Sequence, residues 1–229
     1  MPKCIALIPI RGRDVLLANG SISKIGTKRV IDHTVQAALS SSRIDRVFVT
    51  TDNRNLAKLA IQLGAEAPFL RPKNLSEASV RLPRVLNYTL NRLERELRIK
   101  PQTVVSLEVS HPFRNAELID QIIDLHSKEN FDSVFTVVEM RNNFWQYDPE
   151  GRMRRIYETD PYRIRSEKNP LYKEMLGLVC ATRRTCINDE HILGKKIGVV
   201  PVRDVQSQVD LRDPIGRFLA DAIARSGKR

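Results

Sequence analysis

The chain has 229 residues, 41% of them hydrophobic, and carries 38 Lys and Arg against 27 Asp and Glu, a formal net charge of +11. The apolar content excludes a disordered chain, the length fits one domain, and no apolar run approaches the length that spans a bilayer. The excess of cations points to an anionic partner, among them a nucleotide, an acidic sugar or a nucleic acid.

Residues 3–10, Lys-Cys-Ile-Ala-Leu-Ile-Pro-Ile, read as a buried strand. The run is too short, and too soon met by Arg11, to be a secretory signal. Residues 11–29 form a polar loop holding Arg11, Arg13, Lys24, Lys28 and Arg29 against one acid, Asp14. Gly12, Gly20 and Gly26 permit close backbone approach along it. A helix over 30–42 places Ile31, Thr34, Val35, Ala38 and Leu39 on one face. Residues 46–51 form a strand ending at Asp52-Asn53, where Asn53 can cap a helix over 56–63 that Gly64 stops. A loop over 65–81 contains Arg71-Pro72. Leu86, Leu90, Leu93 and Leu97, at spacings of 4, 3 and 4, mark an amphipathic helix. A strand over 103–107 leads into the loop 108–114; a helix over 116–127 and a strand over 133–138 follow. Strands and helices thus alternate, which predicts a largely parallel sheet with helices on both faces.

The pattern changes after Glu139. Residues 141–173 carry Trp145, Tyr147, Tyr157, Tyr162 and Tyr172, with Asp148-Pro149-Glu150-Gly151 as a turn between two short arms, so the segment reads as an insertion projecting from the sheet. Strands return over 178–182 and 197–202, and a last helix starts at Asp213 or Pro214 and runs to about Arg225. Cys4, Cys180 and Cys186 lack metal spacing, and an odd count reads as reduced thiols in cytoplasm. Cys4 and Cys180 fall in strands, where core packing is their expected role. His33, inside a helix, reads as a packing residue, and His126 and His191 as surface residues.

A strand, a long basic loop and then a helix is how an α/β protein builds a nucleotide site at the carboxyl edge of its sheet. A loop of this charge suits a polyphosphate, and on charge alone it reads equally as a solvated basic loop.

Several segments resemble, in order, the cytidylyltransferases that activate acidic sugars, the acylneuraminate (CMP-sialic acid synthetase) group and the related 3-deoxy-manno-octulosonate enzymes. Residues 5–12, Ile-Ala-Leu-Ile-Pro-Ile-Arg-Gly, look like the opening I-A-x-I-P-A-R-G. Residues 29–38 look like P-L-I-x-H-T-I-x-A-A, 45–52 like D-x-V-x-V-S-T-D, and 64–72 like G-A-E-x-P-F-x-R-P. Residues 107–114 stand where the family has L-x-P-T-S-P-L-R, and Val209-Asp210 where it has I-D. The resemblance covers nearly the whole chain. It implies a single domain over 1–229 with a Rossmann-like three-layer α/β nucleotidyltransferase fold, a mostly parallel sheet, and residues 141–173 as a projecting dimerisation segment. It implies CTP and an acidic, 2-keto sugar as substrates, Mg²⁺ as cofactor and a homodimer as the assembly.

The site motifs depart from the family's. The phosphate loop R-G-G-S-K-G reads Arg11-Gly12-Arg13-Asp14-Val15-Leu16 here, so the family lysine becomes Val15 and its second glycine Arg13. The loop asparagine falls at Ser21, while Arg11 and Lys28 keep their types. The glutamine of the strand-end loop becomes Glu108 and its Thr-Ser pair Ser110-His111; Pro112 and Arg114 persist. In R-Q-x-x-P-x-x-Y-x-x-N-G, Arg165, Pro170 and Tyr172 persist, and the Asn-Gly pair falls at Met175-Leu176. In the metal motif D-I-D the first aspartate is Gln208 and the second Asp210.

The resemblance then implies Arg11, Lys28 and Asp210 as catalytic residues. Ile10, Arg11, Gly12, Arg13, Lys28 and Glu108 fall at nucleotide-binding positions. Ser110, His111, Arg114, Arg165 and Tyr172 fall at positions that suit the sugar, and Asp210 is the metal candidate. Arg13 can replace the missing lysine, because a guanidinium chelates phosphate through two bonds. Glu108 or Asp14 can supply the charge lost at Gln208. Each residue also has a plainer reading: Asp210 as an acid before the last helix, Arg114 as a partner of Glu108 or Glu117, Arg165 and Tyr172 as dimer surface. Two functions follow, an active CMP transferase with an altered site or a relative that binds a ligand or partner without turnover. Nucleic-acid binding draws on net charge alone, since no recognised motif accompanies it.

Overall fold

The computed structural model describes residues 3–13, 23–156 and 164–226. Asp14, Val15, Leu16 and Ser21 lie outside the described residues.

The first strand, β1 (Cys4–Pro9), is buried on both sides. A small hairpin follows, β2 (Lys24–Ile25) with β3 (Lys28–Arg29), turning at Gly26 with a φ of 62°. Helix α1 (Val30–Leu39) begins where the Asp32 carboxylate accepts the Arg29 backbone N–H at 3.0 Å. It ends three residues short of the expected 42, and Leu39 is left exposed rather than on the buried face. Strand β4 is Arg46–Thr50 and helix α2 is Arg54–Gln62. The Asn53 side chain caps α2 by accepting from the N–H groups of Asn55 and Leu56, and Gly64 closes it at a φ of 97°, a left-handed conformation that favours glycine. Helix α3 (Leu82–Glu96) buries Leu86, Leu90 and Leu93, whereas Leu97 falls just past its end and is exposed.

Strand β5 (Thr103–Ser106), helix α4 (Ala116–Lys128) and strand β6 (Ser133–Met140) complete the alternating part. Within residues 141–173, β7 (Trp145–Tyr147) and β8 (Met153–Arg155) form a hairpin around the expected turn, but residues 171–173 fall in a strand of the main sheet rather than projecting from it. Strand β9 (Leu171–Glu174) returns to pair with β6. Strands β10 (Cys180–Arg183) and β11 (Ile197–Pro201) and helix α5 (Pro214–Ser226) follow.

The main sheet has the order β11-β6-β10-β5-β1-β4, with β9 also on β6. β4, β1, β5, β6 and β11 run one way; β10 and β9 run against them. Alternation along β1 feeds two cores. Cys4, Ala6 and Ile8 pack with residues of α1, α2 and α4, while Ile5 and Leu7 pack with Phe48 and the leucines of α3. Helices therefore cover both faces, the arrangement that near-continuous apolar strands require. The carboxyl ends of β1, β4 and β5 open onto one edge.

The cysteines are unpaired, and burial pushes the Cys4 and Cys180 thiols up to about 12, as befits core residues. His126 corrects an expectation: it is 4% exposed, because it lies on the face of α4 turned to the sheet. His33 packs edge-on against Phe113, their ring centres 6.0 Å apart. No described helix is long and apolar enough to cross a membrane.

Candidate active site

The end of β1 is held by its neighbours. Ile10 N–H donates to the Thr50 carbonyl at 3.0 Å, and Gly12 N–H donates to the Asp52 carboxylate at 2.9 Å. A Cβ on Gly12 would approach Asn53 Cβ to 2.9 Å, so glycine is what lets the loop lie on the cap of α2. Arg71, 3% exposed, donates to the Thr50 carbonyl and the Ile10 carbonyl, each at 3.2 Å, and to Ser76 Oγ at 2.9 Å. Burial lowers its pKa to about 10, and the nearby Asp52 carboxylate opposes that shift. Ile10 itself is buried and contributes its backbone rather than its side chain.

Two adjoining cavities open at this edge. The smaller, about 250 Å³, lies between Pro9, Arg11, Arg71, Glu77, Val80 and Ser110. The larger, about 500 Å³, is lined by Arg81, His111, Lys173, His191, Gln208 and Asp210 among others. Leu82, Glu108 and Arg212 line both and form the wall between them.

That wall is an ionic cluster. Arg212 Nε lies 3.0 Å from each Asp210 oxygen, and its Nη1 lies 3.0 Å from Glu108 Oε2. Its Nη2 lies 2.8 Å from Asp210 Oδ2 and 3.4 Å from His111 Nε2. His111 Nδ1 lies 3.2 Å from the Val209 carbonyl. A carbonyl can only accept, so Nδ1 carries the proton and Nε2 a lone pair. Burial, then the Arg114 cation, lowers the His111 pKa to about 4, with Asp210 opposing. Burial pushes the Asp210 carboxyl up, but its hydrogen bonds from Arg212 outweigh this and leave it below the ordinary carboxylate value.

Arg114 lies beneath the wall. It is 4% exposed and donates Nη2 to the Glu108 carbonyl and, at 3.1 Å, to the Gly177 carbonyl. Burial lowers its pKa to about 9, and Glu108 opposes that. It lines neither cavity; its Nη2 supports the Glu108 loop, while its Nε and Nη1 are buried without a protein partner. Ser110 is likewise buried, though it lines the smaller cavity.

The structure thus gathers Arg11, Glu108, Ser110, His111 and Asp210 around one pair of cavities. Arg13, Lys28, Arg165 and Tyr172 line neither. Lys28 lies on the β2–β3 hairpin; Arg165 lies in the projecting segment, 3.5 Å from Asn142 Oδ1; Tyr172, 49% exposed, is on β9 beside Lys173, which does line the larger cavity. Sequence reasoning missed Arg212, Arg71 and Gly177. Gly177 stands one residue beyond the place assigned to the family glycine, and a Cβ there would come within 3.0 Å of the Glu108 carboxylate and 3.1 Å of the His111 ring.

Among the described residues no group of three His, Cys, Asp or Glu could hold a metal ion on its own. Magnesium commonly takes one or two carboxylates and completes its shell with phosphates and water. Asp210 and Glu108, joined through one guanidinium, fit that shared mode and not a cage made by protein alone.

Comparison with known proteins gives a consistent result. A family described as Cytidylyltransferase matches residues 5–206. The chain is 24% identical over 224 residues to a CMP-N,N'-diacetyllegionaminic acid synthase of Legionella pneumophila, covering 96% of each chain. It is 24% identical over 167 residues to a pseudaminic acid cytidylyltransferase of Campylobacter jejuni, covering 72% of each. A solved CMP:2-keto-3-deoxy-manno-octonic acid synthetase in complex with CTP superposes with a TM-score of 0.71 at 14% identity, over 98% of this chain and 99% of that one, a likeness of fold.

Proposed function

This chain belongs to the cytidylyltransferase family, and on that premise we propose that it transfers CMP from CTP to an acidic, 2-keto sugar of the sialic-acid kind, with release of pyrophosphate. The observation that carries the reading is the pair of cavities divided by Glu108 and Arg212 at the carboxyl edge of the sheet. A transfer between two substrates needs both held side by side with their reacting atoms in contact, which two adjoining cavities allow, and an edge of this kind is where α/β folds bind nucleotides.

The smaller cavity takes the nucleoside, beside Arg11 and the Arg71 platform. Arg11 contacts the triphosphate, with Arg13 and Lys28 supplying further charge from the same loop. The larger cavity takes the sugar, and its Lys173, Arg81 and His191 suit an acidic acceptor. In the reaction the sugar hydroxyl oxygen bonds to the α-phosphorus as the bond from that phosphorus to the oxygen bridging the β-phosphate breaks. Such chemistry asks for alignment and charge neutralisation more than for covalent groups. The unprotonated His111 Nε2 can receive the hydroxyl proton. Asp210 and Glu108 would hold Mg²⁺, which when bound neutralises and polarises the phosphates.

The exposed Trp145, Tyr147 and Met153 of the β7–β8 hairpin support a homodimer through the projecting segment. Light scattering that returned only the 26.2 kDa monomer would contradict it. Unpaired cysteines and a CTP substrate suit the cytoplasm. The reading without turnover is separated from this one by assay. CTP binding together with CMP-sugar formation supports transfer; CTP binding with no product from any acidic sugar supports the other.

A further inference from the structure

We propose that Arg212 is a phosphoryl-binding residue of this site which, in the nucleotide-free protein, holds the place of the divalent cation between Glu108 and Asp210.

Its position comes first. Arg212 belongs to the wall shared by both cavities, where a phosphoryl group passing from nucleotide to acceptor would lie. One guanidinium spans both carboxylates, with Nη1 at 3.0 Å from Glu108 Oε2 and Nη2 at 2.8 Å from Asp210 Oδ2. A magnesium ion would stand about 2.1 Å from its carboxylate oxygens. That volume is the one the guanidinium nitrogens border, and two cations repel, so the ion and this pairing exclude each other.

The Asp210 backbone is held in place, and the Arg212 side chain reaches solvent. Arg212 N–H donates to Asp210 Oδ1 at 3.0 Å, and at Gly216 an added Cβ would come within 1.9 Å of the Asp210 carbonyl, so the Asp210 backbone is pressed against the start of α5. The Arg212 side chain is 36% exposed and both carboxylates 26%, so solvent reaches the ion pairs and screens them in part. A phosphate offers the guanidinium two parallel charge-assisted bonds, as good a partner as the carboxylates it leaves. The phosphate half of the proposal rests on the nucleotide reading above; the cation half does not.

The test is Mn²⁺ binding to the nucleotide-free protein, followed by the electron paramagnetic resonance signal of free Mn²⁺, with Mn²⁺ as an oxygen-preferring stand-in for Mg²⁺. Arg212→Gln is expected to bind Mn²⁺ at least about tenfold more tightly than the unaltered protein, and adding Asp210→Asn to it should abolish the gain. CTP binding in EDTA should weaken by about tenfold in Arg212→Gln. Equal Mn²⁺ affinity in the two folded proteins overturns the proposal, even where CTP still binds both. Tighter Mn²⁺ binding with no CTP binding to the unaltered protein keeps the cation half and rejects the nucleotide reading. If Arg212→Gln fails to melt cooperatively, Arg212→Met, which keeps the aliphatic stem and removes the charge, carries the same comparison.

Discussion

His111 presents an unprotonated Nε2 to Nη2 of Arg212 at 3.4 Å, because its Nδ1 hydrogen is committed to the Val209 carbonyl. The relationship ties the loop after β5 to the turn before α5, the two segments that bring Glu108 and Asp210 together. A protonated imidazole there would face the Arg114 and Arg212 cations in a buried place, with Asp210 as its one anionic relief.

That arrangement makes stability depend on acid. The folded His111 pKa, about 4, lies below the ordinary 6.5 of an unfolded histidine. The unfolded chain therefore binds the proton first, and the His111 contribution is complete above pH 6.5 and is lost as pH falls towards 4. The slope between those values is at most about 1.4 kcal/mol per pH unit for one such group. Urea denaturation at pH 5 and pH 7 should show a smaller difference for His111→Gln than for the unaltered protein. An equal difference would mean that His111 is not held neutral.

Gly177 should resist substitution. In Gly177→Ala the new Cβ meets the Glu108 carboxylate and the His111 ring at close range. The expected cost is about 1–3 kcal/mol of stability from overpacking, with a loss of turnover beyond what the stability change explains. A Gly177→Ala protein with unaltered stability and turnover would show that the wall has room to spare.

Much of this was legible in the sequence, and the reasons differ by residue. The two-sided burial of β1, the Asn53 cap and the leucine stripe of α3 follow from local pattern, and they were placed with errors confined to element ends. That Glu108, His111 and Asp210 would come together was legible because each lies in a short motif at a strand or helix end. Arg212 was not, since its importance arises from a pairing across 104 residues of chain that no local signal encodes. The bonds of Arg114 to the Glu108 and Gly177 carbonyls were not legible for the same reason, since its residue type suits an anion and no local motif marks those partners. His126 was misread because an isolated histidine on a helix carries no mark of which face it occupies.

Arg114 should behave as a scaffold residue. Arg114→Met removes the guanidinium bonds to the Glu108 and Gly177 carbonyls, each of which keeps a backbone donor, from His111 and Glu108 respectively, so the expected loss is that of charge-assisted bonds rather than of orphaned groups, about 1–3 kcal/mol in all. The melting temperature should fall while KM for the sugar changes little in the protein that remains folded. A large rise in KM for the sugar at unchanged stability would support the sugar-carboxylate role instead.

Asp210 should matter to turnover and not to fold. Its side chain is partly exposed and its main partner is a neighbour two residues away. Asp210→Asn is expected to lower kcat roughly 10²- to 10³-fold, the scale of losing several kcal/mol of phosphate neutralisation, with circular dichroism unchanged. Full turnover in Asp210→Asn would remove Asp210 from the metal assignment.

The central claim is transfer of CMP from CTP, and pyrophosphate release tests it most directly. The purified protein with Mg²⁺ would be given CTP, UTP, GTP or ATP together with a panel of acidic 2-keto sugars, and the products weighed by mass spectrometry. The account expects pyrophosphate and a CMP-sugar in equal amounts, with CTP preferred and with no release when the sugar is omitted. No product from any sugar, together with no thermal stabilisation by CTP and Mg²⁺, would contradict it.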